Sequence, residues 1–180
     1  MAFKAPRLSP LQALIVNGTL FNLSWFVIVF THSPVIAPLQ VAGHLLVHSL
    51  ILGRGSAEAR FLLLVTVIGV SLDQLLFLGG VLAVEGPVLP APLWLSCLWP
   101  VFATTLCHAF RGLAARPLLA AVIGGLGGAG SYVAGVRLSD VAFASFPLSA
   151  VILGLTWAAL FPLLLKLGVR MVPVGENNRA

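Results

Sequence analysis

Acidic side chains are nearly missing from this sequence: five Asp and Glu stand beside ten Lys and Arg, and charged residues make up 8% of its 180 positions. A soluble domain carries roughly 25% charged residues, so this chain cannot cover itself with a solvated surface. Cysteine occurs twice, which excludes a disulfide-built scaffold. Cys97 and Cys107 fall on one expected helix, roughly 15 Å apart along its axis and beyond disulfide reach, and are expected to be small packing residues. Close-spaced Cys or His sets of the zinc-finger kind, a phosphate-binding P-loop and a basic stripe interleaved with aromatics are all lacking. No cofactor, no metal and no nucleic-acid partner is therefore expected. Segments of alternating polarity are lacking too, and a transmembrane barrel needs them.

Apolar residues are what the chain has, at 59% hydrophobic with a mean hydropathy of +1.08. Their unbroken runs of about twenty residues match helices that cross a bilayer. The expected fold is all-α: one integral membrane domain over residues 1–180, a bundle of about six transmembrane helices. The spans run Leu11 to Phe30, Val35 to Leu52, Phe61 to Val84, Ala91 to Phe110, Pro117 to Gly135 and Phe146 to Leu165.

The charges between the spans set the orientation. Lys4 and Arg7, Arg54 and Arg60, Arg111 and Arg116, then Lys166, Arg170 and Arg179 all fall on one side, and Arg137 stands alone on the other. Lys and Arg concentrate in cytoplasmic loops, so both termini are expected in the cytoplasm. The basic balance is then a record of topology, with cations placed where helices meet anionic headgroups. The first apolar stretch is too long for a signal-peptide core and has no small-residue cleavage site after it, so it reads as a retained helix. The polar tail VGENNRA is expected to bring no soluble domain, so activity is expected in the helices and their short loops.

Polar residues inside such spans are costly and face the bundle interior or a cavity. Asp73 lies about 20 Å from the cytoplasmic end of its span and shares a stripe with Gly69, Leu76 and Gly80. It reads either as a proton-carrying, substrate-binding or catalytic carboxyl, or as a neutral carboxyl that bonds a neighbouring helix. His44 and His48 stand one turn apart on the second span. Without the Glu of the zinc-protease motif, interhelical hydrogen bonding is their expected role. On the fourth span Cys97, Val101, Thr104 and His108 share a stripe, with His108 three residues from Arg111 and expected at the hydrated interface. Asn22 is expected to seek Asp73 or His44 across helices. Gly124 and Gly128 form a GxxxG followed one turn later by Tyr132, which predicts close helix packing. Trp94, Trp99 and Trp157 are candidates for an aromatic pocket, and Pro100 for a kink that opens a cavity.

Several of these residues carry a resemblance. Asn17 and Trp25, Glu58 before Arg60, LDQLL around Asp73, the run PLWLSCLWPVFATTLCH and GGLGGAGSYVAG together resemble a bacterial inner-membrane family known as domain of unknown function 2878. One departure is Ala129, where a proline is expected shortly before the tyrosine. The resemblance implies a bacterial inner-membrane location and a lipid-related role, and it carries no catalytic residue with it.

Two classes of function follow. The first is a small binding or transport protein with a midplane site lined by Asp73, His44 and Asn22, taking a small-molecule or lipid substrate from the bilayer. The second is an intramembrane lipid-modifying enzyme, with Asp73 or a histidine as general acid or base. An accessory subunit that docks on a membrane-protein partner through its glycine faces is a third, non-catalytic form.

Overall fold

A computed structural model describes residues 8–86 and 90–173. Lys4, Arg7 and Arg179, which entered the charge assignment, lie outside the described residues, as does the VGENNRA tail. The chain is mostly helical. Its elements are α1 (Pro10–Thr31), α2 (Ile36–Ile51), α3 (Ser56–Leu78), β1 (Leu82–Val84), α4 (Leu93–Ser96) and α5 (Leu98–Cys107), then a 3-10 turn (Arg111–Ala115), α6 (Pro117–Leu138), β2 (Val141–Phe143) and α7 (Leu148–Met171).

Four of these helices, α1, α3, α6 and α7, are long and apolar enough to cross a membrane. Their outward faces carry the apolar surface that lipid accepts and water does not, with Leu118 83% exposed and Leu126 74%. The other two expected spans are shorter. α2 covers 16 residues, about 24 Å, less than the roughly 30 Å of a bilayer core. The fourth breaks at Cys97 into α4 and α5. Pro100 is the physical cause: it lacks the N–H that would bond the Ser96 carbonyl, so the helix restarts with proline in its first turn.

Helix ends follow local signals. Ser9 and Gln12 form a capping box, the Gln12 N–H donating to Ser9 Oγ at 3.3 Å and the Ser9 N–H to Gln12 Oε1 at 2.9 Å, with Pro10 opening the helix. α3 starts after Gly55, whose φ of 82° suits glycine, and Glu58 in its first turn reaches back to the Arg54 N–H at 2.6 Å.

The all-α expectation needs one correction. The third expected span stops six residues short, because Gly79 and Gly80 end α3 and Gly80 turns with φ of 66°. Leu82–Val84 then pairs antiparallel with Val141–Phe143, Leu82 opposite Phe143 and Val84 opposite Val141. This short ribbon joins the loops that follow α3 and α6. Trp94 Nε1–H donates to Asp140 at 3.1 Å and the Ser149 hydroxyl to the Val81 carbonyl at 2.7 Å, so α4 and α7 meet at the same end. At the opposite end the last turn of α2, the first of α3 and the close of α5 converge. The helices therefore run alternately up and down.

Two apolar clusters fill the interior, one around Ile28, Leu76, Trp94 and Leu153 towards the ribbon, the other around Phe61, Trp99, Phe161 and Leu165. Leu72 and Tyr132 border both. α6 lies closest to α7: a Cβ on Gly124 would meet Phe161 Cβ at 2.5 Å, and one on Gly128 would meet the Trp157 ring at 2.2 Å. The GxxxG thus packs closely as expected, Gly124 against Phe161 and the Trp157 carbonyl, and Gly128 against the Trp157 ring.

Candidate functional site

Asp73 sits where the two apolar clusters meet, with no exposed surface. An acid there must have its oxygens bonded. The Tyr132 hydroxyl donates to Oδ1 at 2.5 Å and the Trp99 Nε1–H to Oδ2 at 2.6 Å, which ties α3 to α6 and α5. Trp99 lies flat on Gly69, where a Cβ would fall 1.7 Å from the ring, and stacks on Trp157 at 5.4 Å with ring planes 3° apart. The glycine beside the acid therefore admits an indole, not a neighbouring backbone.

This triad borders a cavity of about 350 Å³. α1 contributes Phe21, Asn22 and Trp25 to its wall, α5 Trp99 and Phe102, and α6 the run from Ile123 to Gly135; Trp94 and Trp157 complete the expected aromatic pocket. Small residues on α6 make the space: at Gly127 a Cβ would meet nothing within 4 Å. Asn22 and Gly127 both line the cavity and both are exposed, so it opens sideways between α1 and α6. The Trp157 Nε1–H, on a residue 7% exposed, has no acceptor among the described residues. Buried donors are almost always paired, and leaving one unpaired costs about 1 to 3 kcal/mol.

The remaining candidates divide differently from expectation. Asn22 bonds neither Asp73 nor His44; its amide donates to the Gly18 carbonyl of its own helix at 2.7 Å. The interhelical amide on α1 is Asn17, which donates to Thr104 Oγ1 at 3.3 Å and accepts the Ala109 N–H at 3.3 Å. His44 is buried outside the cavity wall, so the midplane site expected from Asp73, His44 and Asn22 loses its histidine. His44 is bonded through both ring nitrogens, Nε2 lying 3.2 Å from Thr104 Oγ1 and Nδ1 2.9 Å from Ser24 Oγ. Thr104 also reaches the Val101 carbonyl at 2.8 Å, and Ser24 accepts from Gln40 at 3.0 Å.

His48 and His108 meet at Glu58. Their Nε2 atoms lie 3.2 Å and 2.9 Å from Glu58 Oε1, all three side chains are nearly buried, and the imidazole planes are 76° apart. Their three ligand-capable atoms lie within 4.8 Å of one another. His108 is thus drawn inward by Glu58 and is not a free interfacial imidazole. In the adjoining 3-10 turn Arg111 is held below the usual arginine range by burial first and by the Arg54 guanidinium second. Cys97 and Cys107 are free and buried, as expected.

Sequence reasoning missed Glu58, Asn17 and Tyr132 as partners. Glu58 could have been found by asking why an acid stands at the third position of a helix that opens after an Arg-Gly turn. A lone tyrosine one turn beyond a GxxxG was visible, but its partner is 59 residues away.

No curated protein and no solved structure matches the chain. A family model described as protein of unknown function (DUF2878) matches residues 14–163, which take in the cavity wall and both polar clusters. The chain belongs to that family of proteins of unknown function, DUF2878.

Proposed function

We propose that the protein is a six-span inner-membrane protein that binds, and in binding transports, a small lipid-like molecule entering sideways from the bilayer. The observation that carries the reading is the cavity of about 350 Å³ between α1 and α6, apolar over most of its wall, bordered by the buried Asp73 triad and by Trp157, whose N–H is unpaired among the described residues. Its size is that of a small-ligand site, and such sites combine apolar walls with a few placed polar groups. The ligand so recognised has an apolar body and one hydrogen-bonding end, whose acceptor takes the Trp157 proton. An intramembrane lipid-modifying enzyme is the second reading, favoured by the short Tyr132 to Asp73 bond beside the cavity as a candidate proton donor and acceptor pair.

Gly127→Leu separates ligand loss from misfolding, because its side chain enters open space. Protein purified in mild detergent and extracted into organic solvent should release a stoichiometric small lipid by mass spectrometry. The Gly127→Leu protein should fold normally and release at least tenfold less. Equal amounts from both proteins would sink the reading. A released product chemically distinct from the bulk lipids would favour the enzyme.

Both ends in the cytoplasm is the matching topology. It is supported by the alternate helix directions and by Arg54, Arg60, Arg111, Arg116, Lys166 and Arg170 sharing the end opposite the ribbon. A reporter fused after Ala180 should be active only in its cytoplasmic form, and one inserted near Glu85 only in its external form. The reverse pattern overturns the orientation.

A further inference from the structure

We infer that His48, Glu58 and His108 form a binding site for a divalent first-row transition-metal ion, separate from the cavity at Asp73. The three residues come from three elements, the last turn of α2, the first turn of α3 and the close of α5, and their ligand atoms converge within 4.8 Å. Two ligands held about 2.1 Å from one ion at angles of about 90° to 110° stand about 3.0 to 3.4 Å apart. The two nitrogen to Glu58 oxygen separations are 3.2 Å and 2.9 Å, which are such edges. The imidazole planes are 76° apart, and each ring presents its Nε2 to the same Glu58 oxygen.

The donor set decides the class of ion. Two imidazoles and one carboxylate suit zinc, iron, cobalt and copper, whereas magnesium and calcium take oxygen ligands almost exclusively. One supporting contact is in place: the Arg54 N–H fixes Glu58 Oε2 at 2.6 Å and so aims Oε1 at the imidazoles. The cluster lies under the exposed turn from Gly53 to Ser56, which gives an ion a short path from the aqueous side. Binding needs both imidazoles neutral with the proton on Nδ1, so it weakens as pH falls and the rings become protonated. His44 stacks one turn away at 6.3 Å but spends both nitrogens on Ser24 and Thr104, and is not a ligand.

The test uses the full chain, purified without a histidine tag, stripped with chelator and titrated with cobalt(II) or copper(II) alone. One equivalent should bind saturably, and copper(II) should give an electron paramagnetic resonance spectrum split by two imidazole nitrogens. His108→Ala and Glu58→Gln should each weaken binding at least tenfold, and His44→Ala should leave it unchanged. Should the variants not fold, the wild-type spectrum decides alone: two-nitrogen splitting supports the site. No saturable binding, splitting from fewer nitrogens, or undiminished binding in folded Glu58→Gln and His108→Ala overturns it and leaves the three residues as a hydrogen-bonded clamp.

Discussion

Asp73→Leu is expected to collapse the yield of folded protein in detergent, while Asp73→Asn folds at wild-type level. Leucine strands two buried donors, the Tyr132 hydroxyl and the Trp99 Nε1–H, at about 1 to 3 kcal/mol each. Asparagine keeps a hydrogen-bond partner at both atoms. Its carbonyl accepts from Trp99, which can only donate, and its amide donates to Tyr132, whose oxygen accepts as readily as it donates. What the amide cannot do is carry the proton or the charge. If the carboxyl serves ligand binding or chemistry, Asp73→Asn should lose the lipid or uptake phenotype of the wild-type gene at matched expression. Full complementation by Asp73→Asn leaves the carboxyl as an interhelical tie.

Gly69→Leu should be the most damaging single change to the bundle. The added Cβ would lie 1.7 Å from the Trp99 ring, and Trp99 has no room to yield, pinned by Asp73 on one side and stacked on Trp157 on the other. Overpacking typically costs about 1 to 3 kcal/mol, and more where the neighbour cannot shift. Gly128→Leu should act in the same direction through Trp157, whose ring stands 2.2 Å from the added atom. Thermal unfolding in detergent checks both. A wild-type midpoint for either variant would mean that the α6 and α7 contact, or the Trp99 stack, is looser than the geometry requires.

How much of this could be read beforehand depended on the kind of signal. Four long apolar helices were legible because twenty apolar residues in a row have few other uses, and Asp73 because a carboxyl stands out in such a run. Which face of α1 turns inward was not legible. Membrane helices are apolar all round, so no polar face marks the outside, and Asn22 looked as good as Asn17 until Thr104 and Ala109 were seen against the latter. Glu58 looked like a loop acid because it stands four residues after Arg54, and burial depends on how helix ends converge, which no local pattern encodes. The partners of Asp73 lie 26 and 59 residues away, so each residue type was visible while the constellation was not. The ribbon was missed because three-residue strands rest on pairing rather than on sequence period, and LAV reads equally well as the tail of a span.

That ribbon also sets an order of events during synthesis. Val81 and Ser149, which it brings together, are 68 residues apart in the chain. At ribosomal speeds of roughly 5 to 20 residues per second, Val81 waits several seconds for that partner to be made. During that interval the carbonyls beyond α3 have no ribbon partner. Closure of the ribbon is thus a step that only a nearly finished chain can take. A nascent chain stalled before Val141 would carry Asp73 and Trp99 yet present one open strand edge.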